Sequence, residues 1–244
     1  VWSDEPLDFD ESKVILSGEE NTIWTYDDSA QQYYLHRFYA EQPDLNIANP
    51  EVRQEILKIM GFWMQFGVSG FRVDAAEMLI EPYGTGDRGK SDFADFLSEM
   101  REFIALKESN AILIAETNIA PDRTPTYLDS GHRMHMLFNF YLNQQLFLAL
   151  ADQSAASLVH ALSQLPKLGA HNQWLNFLRH HDELTLTLLT PAEQQVIMSE
   201  FAPDPEMRIF EAGIRRRIAP MLRNDRRRME LAYSLLFTLP GTPL

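Results

Sequence analysis

The chain has 244 residues, 35 of them acidic and 21 basic, for a formal net charge of −14; this surplus excludes a general phosphate-backbone binder, whose affinity rests on Lys and Arg. With 45% hydrophobic and 11% aromatic residues, it holds enough apolar material to exclude a disordered polypeptide. It has no cysteine, which excludes disulfides, thiolate metal sites and cysteine nucleophiles, and no apolar run long enough to cross a membrane.

The chain starts at Val1 without a signal-peptide pattern and stops at Leu244, just past a turn signal. Both ends read as cuts through a longer protein, and a cytoplasmic location is the default expectation. Residues 1–40 are acidic and aromatic, with short alternating pieces such as Lys13-Val14-Ile15-Leu16. They read as an irregular or small β-rich insert over 1–41, ahead of a main domain over 42–244. Trp24, Tyr26, Tyr33, Tyr34, Phe38 and Tyr39 crowd this acidic lobe; they suit either stacking on sugar rings or packing a small core. Asn49-Pro50-Glu51 opens a helix with an N-cap, a first-turn proline and an acid at the positive end of the dipole. Val52, Ile56, Ile59, Met60, Trp63 and Phe66 form its predicted stripe, and Gly67 closes it.

A short strand follows over 70–75, then an amphipathic helix over 92–107, then the wholly apolar strand 111–115, expected to be buried on both faces. A third strand is predicted over 134–140, helices over 141–151 and 155–165, a fourth apolar run over 174–178, and a last helix over 226–239. Strands alternating with helices imply right-handed βα units around a parallel sheet. The fold class is therefore α/β.

Three acids stand just past three of these apolar runs: Asp74, Glu116 and Asp182. In a (β/α) barrel the carboxyl ends of the strands carry the chemistry. The separations of 42 and 66 residues fit one βα unit and two. Strand periodicity puts Arg72 on the same side as Asp74, where a guanidinium keeps a carboxylate ionised. Glu116 follows an apolar strand, a setting that lets a carboxyl hold its proton. Two carboxyls tuned in opposite directions are what a retaining glycosidase needs, one to attack and one to protonate the leaving oxygen. Singly, each acid is compatible with a surface or salt-bridged carboxylate, and Asp74 with a structural ion pair to Arg72; their joint placement favours a shared role.

Arg179-His180-His181-Asp182-Glu183 is the densest polar cluster. Its residues are also metal-ligand types, but neighbours on a strand face opposite ways and converge poorly on one ion. His132 and His135 read as a loop pair rather than as ligands.

These residues bring out a resemblance to the α-amylase superfamily, glycoside hydrolase family 13. Gly70-Phe71-Arg72-Val73-Asp74-Ala75 resembles the family's nucleophile segment, Ala115-Glu116-Thr117-Asn118 its acid/base segment, and His180-His181-Asp182 the segment of its third acid. Gln42-Pro43-Asp44-Leu45-Asn46 resembles a further motif ahead of the fourth barrel strand. Longer stretches, among them Tyr33-Tyr34-Leu35-His36-Arg37-Phe38 and Gly213-Ile214-Arg215-Arg216-Arg217, are similar to the branch that interconverts maltose and trehalose. The resemblance implies a partial (β/α)8 barrel holding about strands four to seven, and a small-molecule α-glucoside such as maltose or trehalose as substrate.

The same resemblance implies Asp74 as nucleophile, Glu116 as acid/base and Asp182 as transition-state stabiliser, with Arg72, His181, Arg179 and Glu183 in substrate contact. No organic cofactor is implied. A structural calcium ion is, with Asp10 or Glu11, the carbonyls of Met78 and Leu79, and Glu81 as ligands. The longer protein is compatible with a homo-oligomer. Two departures stand out: His180 replaces the family's usual Asn, and the family's first motif, an Asp with an Asn-His pair, has no counterpart here. That motif is expected upstream of Val1, and the eighth strand is expected to begin where the chain ends. The segment alone is expected to be poorly stable and inactive. Competing readings are a plain α-glucoside hydrolase and a catalytically dead scaffold.

Overall fold

The computed structural model describes residues 1–6, 16, 20–80 and 93–244. Its elements run β1 (Trp2–Ser3), β2 (Trp24–Asp27), β3 (Gln32–Leu35), α1 (Pro50–Gln65), β4 (Gly70–Val73), α2 (Ala76–Ile80), α3 (Phe93–Lys107) and β5 (Ile112–Ala115). Then come α4 (Thr124–Leu128), β6 (Met136–Phe138), α5 (Phe140–Asp152), α6 (Ala156–Gln164), β7 (Gln173–Asn176), β8 (Leu184–Thr185) and α7 (Pro191–Phe201). β9 (Arg208–Ile209), β10 (Gly213–Ile214), α8 (Ile218–Met221), α9 (Arg226–Thr238) and β11 (Thr242–Pro243) complete the chain.

Five parallel strands lie in the order β11-β7-β6-β5-β4. β4 and β5 are neighbours, and β6 separates β5 from β7, as the 42- and 66-residue spacings require. Gly70 lets β4 approach β5: a Cβ there would stand 2.3 Å from the Ile112 carbonyl oxygen. The strand period splits the side chains between two faces. Leu113, Ala115, Leu137 and Trp174 join the core under α1 and α3, while Ile114, Met136, Phe138 and Leu175 lie with Phe177 on the other face. Burial of β5 on both faces is thus only partly realised: Leu113 and Ala115 are buried, Ile114 half-buried, and Ile112, at the strand's start, exposed.

The cap of α1 forms as predicted, Asn49 accepting the Glu51 N–H at 2.9 Å, and Gly67 ends the helix at a φ of 89°. Its stripe divides. Val52, Ile56 and Met60 face α3, whereas Ile59, Trp63 and Phe66 are exposed. The six predicted positions span too wide an arc for one neighbouring helix to cover.

A second core lies among α5, α6, α7, α8 and α9, centred on Phe147, Ile197, Phe201, Met221 and Leu236. α7 went unpredicted although its signal was local: Thr190 and Glu193 form a capping box. β8, β10 and β9 make a small antiparallel sheet. At the other end of the chain β1, β3 and β2 make another, around Ile23, Trp24 and Leu35. Trp24 is therefore core, while Tyr26 and Tyr39 face solvent. Among the described residues no helix is long and apolar enough to cross a membrane.

Candidate active site

β4 and β5 end side by side, and their ends are stitched together. The Glu116 N–H donates to the Val73 carbonyl at 3.0 Å, and the Ala76 N–H donates back to the Glu116 carbonyl at 2.9 Å. Between these bonds the chain turns at Asp74-Ala75, with Ala75 at a φ of 41°. A non-glycine residue in that region is strained. The surrounding bonds hold it there, and the Ala75 N–H points at the Glu116 carboxylate, 3.4 Å away.

Arg72 faces the same side as Asp74, as the strand period predicts. Its Nη1 lies 2.7 Å from Asp74 Oδ1 and its Nη2 2.5 Å from Glu116 Oε2. One planar guanidinium thus holds both carboxylates, a geometry a lysine could not reproduce. The guanidinium carbon lies over the Phe138 ring, 6.0 Å from its centroid. The two acids sit in different surroundings. Asp74 is 72% exposed at its side chain and Glu116 only 14%. Burial raises the Glu116 pKa; Arg72 pulls it down, a hydrogen-bonding contact with Asp74 pushes it up again, and the net shift is upward.

Asp182 lies two strands away, past the end of β7. Segment 179–183 is a bent loop rather than a strand, so its side chains do not alternate. Ligand atoms of His180, His181 and Asp182 lie within 4.8 Å of one another, which corrects the expectation that they converge poorly. Glu183 stands outside this group, half-buried where β8 begins. His181 Nε2 is 3.1 Å from Asp182 Oδ2. Arg179 directs its guanidinium at backbone, to the carbonyls of Asp182 (2.8 Å) and Arg216 (3.2 Å). Burial first, then the neighbouring Arg217, lowers its pKa to about 10. His135 is a framework residue: its Nδ1 accepts the Leu113 N–H at 2.9 Å.

The loop after β5 and the segment just past β8 are joined by a network that sequence reasoning missed. Asn118 donates to Thr187 Oγ1 at 2.7 Å. Gln144, fully buried in α5, donates to Asn118 Oδ1 and accepts the Leu188 N–H, both at 3.0 Å. A single sequence carries no signal for Gln144; Asn118 was visible only as a neighbour of Glu116.

Of the residues expected to hold calcium, Asp10, Glu11 and Glu81 lie outside the described residues. Met78 and Leu79 lie in α2. Calcium takes about 6–8 oxygen ligands, so these two carbonyls do not by themselves complete a site.

The family model "Alpha amylase, catalytic domain" matches residues 12–244. The chain is 41% identical over its whole length to the trehalose synthase of Thermus thermophilus, and 38% identical to the trehalose synthase/amylase of Mycolicibacterium smegmatis. It spans 25% and 42% of those two proteins. In fold it is similar to an alpha-amylase from H. orenii, with a TM-score of 0.68 at 21% identity, over all of this chain and 42% of that one. The parallel βα sheet is accordingly part of a (β/α)8 barrel, and with most of its length matched this chain belongs to the alpha-amylase family.

Proposed function

We propose that the chain carries the reacting carboxylates of a retaining α-glucoside enzyme, a trehalose synthase that interconverts maltose and trehalose. The observation that carries this reading is the guanidinium of Arg72 shared between Asp74 and Glu116. Retaining enzymes keep their two carboxyls about 5–5.5 Å apart, whereas inverting ones leave about 6.5–9.5 Å for a water. Two carboxylates held by the two amino groups of one guanidinium lie close together, which favours the shorter, retaining separation.

In this reading Asp74, exposed and ion-paired, attacks the anomeric carbon and forms a covalent β-glucosyl ester. Glu116, whose burial favours the protonated form, gives its proton to the departing glycosidic oxygen. In the second half, Glu116 takes a proton from the incoming hydroxyl, whose oxygen displaces Asp74. If that hydroxyl is the anomeric one of the released glucose, the product is the α,α-1,1 disaccharide. Excluding water is what lets this outrun hydrolysis. Asp182, paired with His181, accepts hydrogen bonds from the sugar as charge develops at the ring.

Relatives named trehalose synthase match the whole chain, which supports isomerisation. A second reading, hydrolysis, is favoured by the exposure of Asp74 and by the name of the relative that is also called an amylase. Product analysis of the full-length protein on maltose separates the two: trehalose for the first, glucose alone for the second. Asp74→Asn should abolish both products; persisting turnover would overturn the nucleophile assignment.

A further inference from the structure

We propose that His180 is a positioning residue for Asp182: its Nδ1 accepts the Asp182 backbone N–H and so sets the direction in which the Asp182 carboxylate projects. The inference rests on the reading of Asp182 as the third acid of the site.

The bond is 3.0 Å long and runs from residue i+2 back to the side chain of residue i. This is the connection an Asx turn makes through an Asn or Asp oxygen. The other end of the Asp182 unit is held as well, its carbonyl accepting from Arg179 at 2.8 Å. The His180 carbonyl accepts from Arg217 at 2.6 Å. Backbone on both sides of the Asp182 side chain is therefore fixed.

The His180 ring is 10% exposed and lies among Phe177, Phe140 and Phe138, with centroids 5.1, 5.8 and 6.3 Å away. Burial there favours the neutral ring, lowering its pKa to about 4. Because Nδ1 accepts, the proton sits on Nε2. That atom is buried, and among the described residues it has no hydrogen-bond partner. A ring needed only to fill this aromatic space would leave no orphaned donor if it were a phenyl. What phenyl lacks is Nδ1, the one polar atom of the ring that is bonded. The same Nδ1 stands 3.4 Å from Asp182 Oδ2, so the ring also borders the carboxylate it orients.

The test uses the full-length protein with maltose and compares His180→Asn, His180→Phe and Asp182→Ala, with thermal unfolding of each. Asn keeps an acceptor for the i+2 amide, whereas Phe keeps the ring and removes the acceptor. We expect His180→Asn to keep a kcat close to wild type. His180→Phe should lose about 100-fold in kcat, the scale of a misplaced reacting group, with KM little changed and thermal stability kept or raised. Wild-type kcat in His180→Phe, or equal losses in the Phe and Asn variants, would overturn the inference. Should the Phe variant fail to fold, His180→Ala set against His180→Asn makes the same comparison. Asp182→Ala tests the underlying reading separately: if it turns over normally, the role of Asp182 is wrong; if it is dead while His180→Phe is active, only the positioning role falls.

Discussion

Glu116 sets the pH dependence of the proposed chemistry. Its pKa is raised above the ordinary 4.5, so the proton it donates is lost as pH climbs through that raised value. The alkaline limb of kcat/KM should therefore follow Glu116. Replacing Glu116 with Gln should lower kcat by roughly 10²- to 10⁴-fold, the usual worth of a general acid, and remove that limb. Arg72→Met should move the limb upward, because Arg72 is the group pulling the Glu116 pKa down; a limb that stays or moves down would refute the coupling. The same shift appears in stability. A carboxyl raised by folding contributes stability that is present below 4.5 and is lost as pH rises through its folded value. Urea unfolding should show wild type weakening against Glu116→Gln as pH rises from 4.5. At this scale the sequence was informative about Asp74 and Arg72, which are two residues apart. That Arg72 also grips Glu116, 44 residues on, depends on two strands pairing in register.

Among the elements, α5 does the most to hold the site together. It was legible as a helix, but its burial pattern was not: Asn143, Gln144 and Gln145 are all buried along with the apolar residues. Gln144 is the link between the loop after Glu116 and the segment just past β8. Replacing it with Leu leaves the Leu188 N–H and Asn118 Oδ1 unpaired, each worth about 1–3 kcal/mol. We expect a lower unfolding temperature together with a lower kcat; a fall in stability with kcat intact would show that the network does not position Glu116. Phe147 lies edge-on to Phe201 at 5.8 Å, fully buried between α5 and α7. Phe147→Ala should cost about 3–5 kcal/mol, measured by urea unfolding, without moving the alkaline limb. The capping box of α7 was written locally. Which helix faces α7 would bury could not be read locally.

The described chain as a whole leaves apolar surface uncovered. Phe62 and Trp63 on α1 and Phe66 just past its end form a cluster of rings 5.0 to 6.3 Å apart, with Phe66 71% exposed. β4 is an end strand of the sheet among the described residues. Exposed edges and large apolar patches promote association. The 244-residue chain by itself should therefore associate in sedimentation experiments, and Phe62→Glu with Phe66→Glu should reduce this. The sequence alone determined the βα alternation, the capped start of α1 and the acids beyond β4, β5 and β7, because helix and strand periods and caps act over a few neighbouring residues. Only the tertiary structure decided that one guanidinium serves two acids, that Gln144 joins two loops and that His180 bonds the Asp182 amide. Those contacts depend on parallel register, loop bending and burial, which arise when distant segments pack.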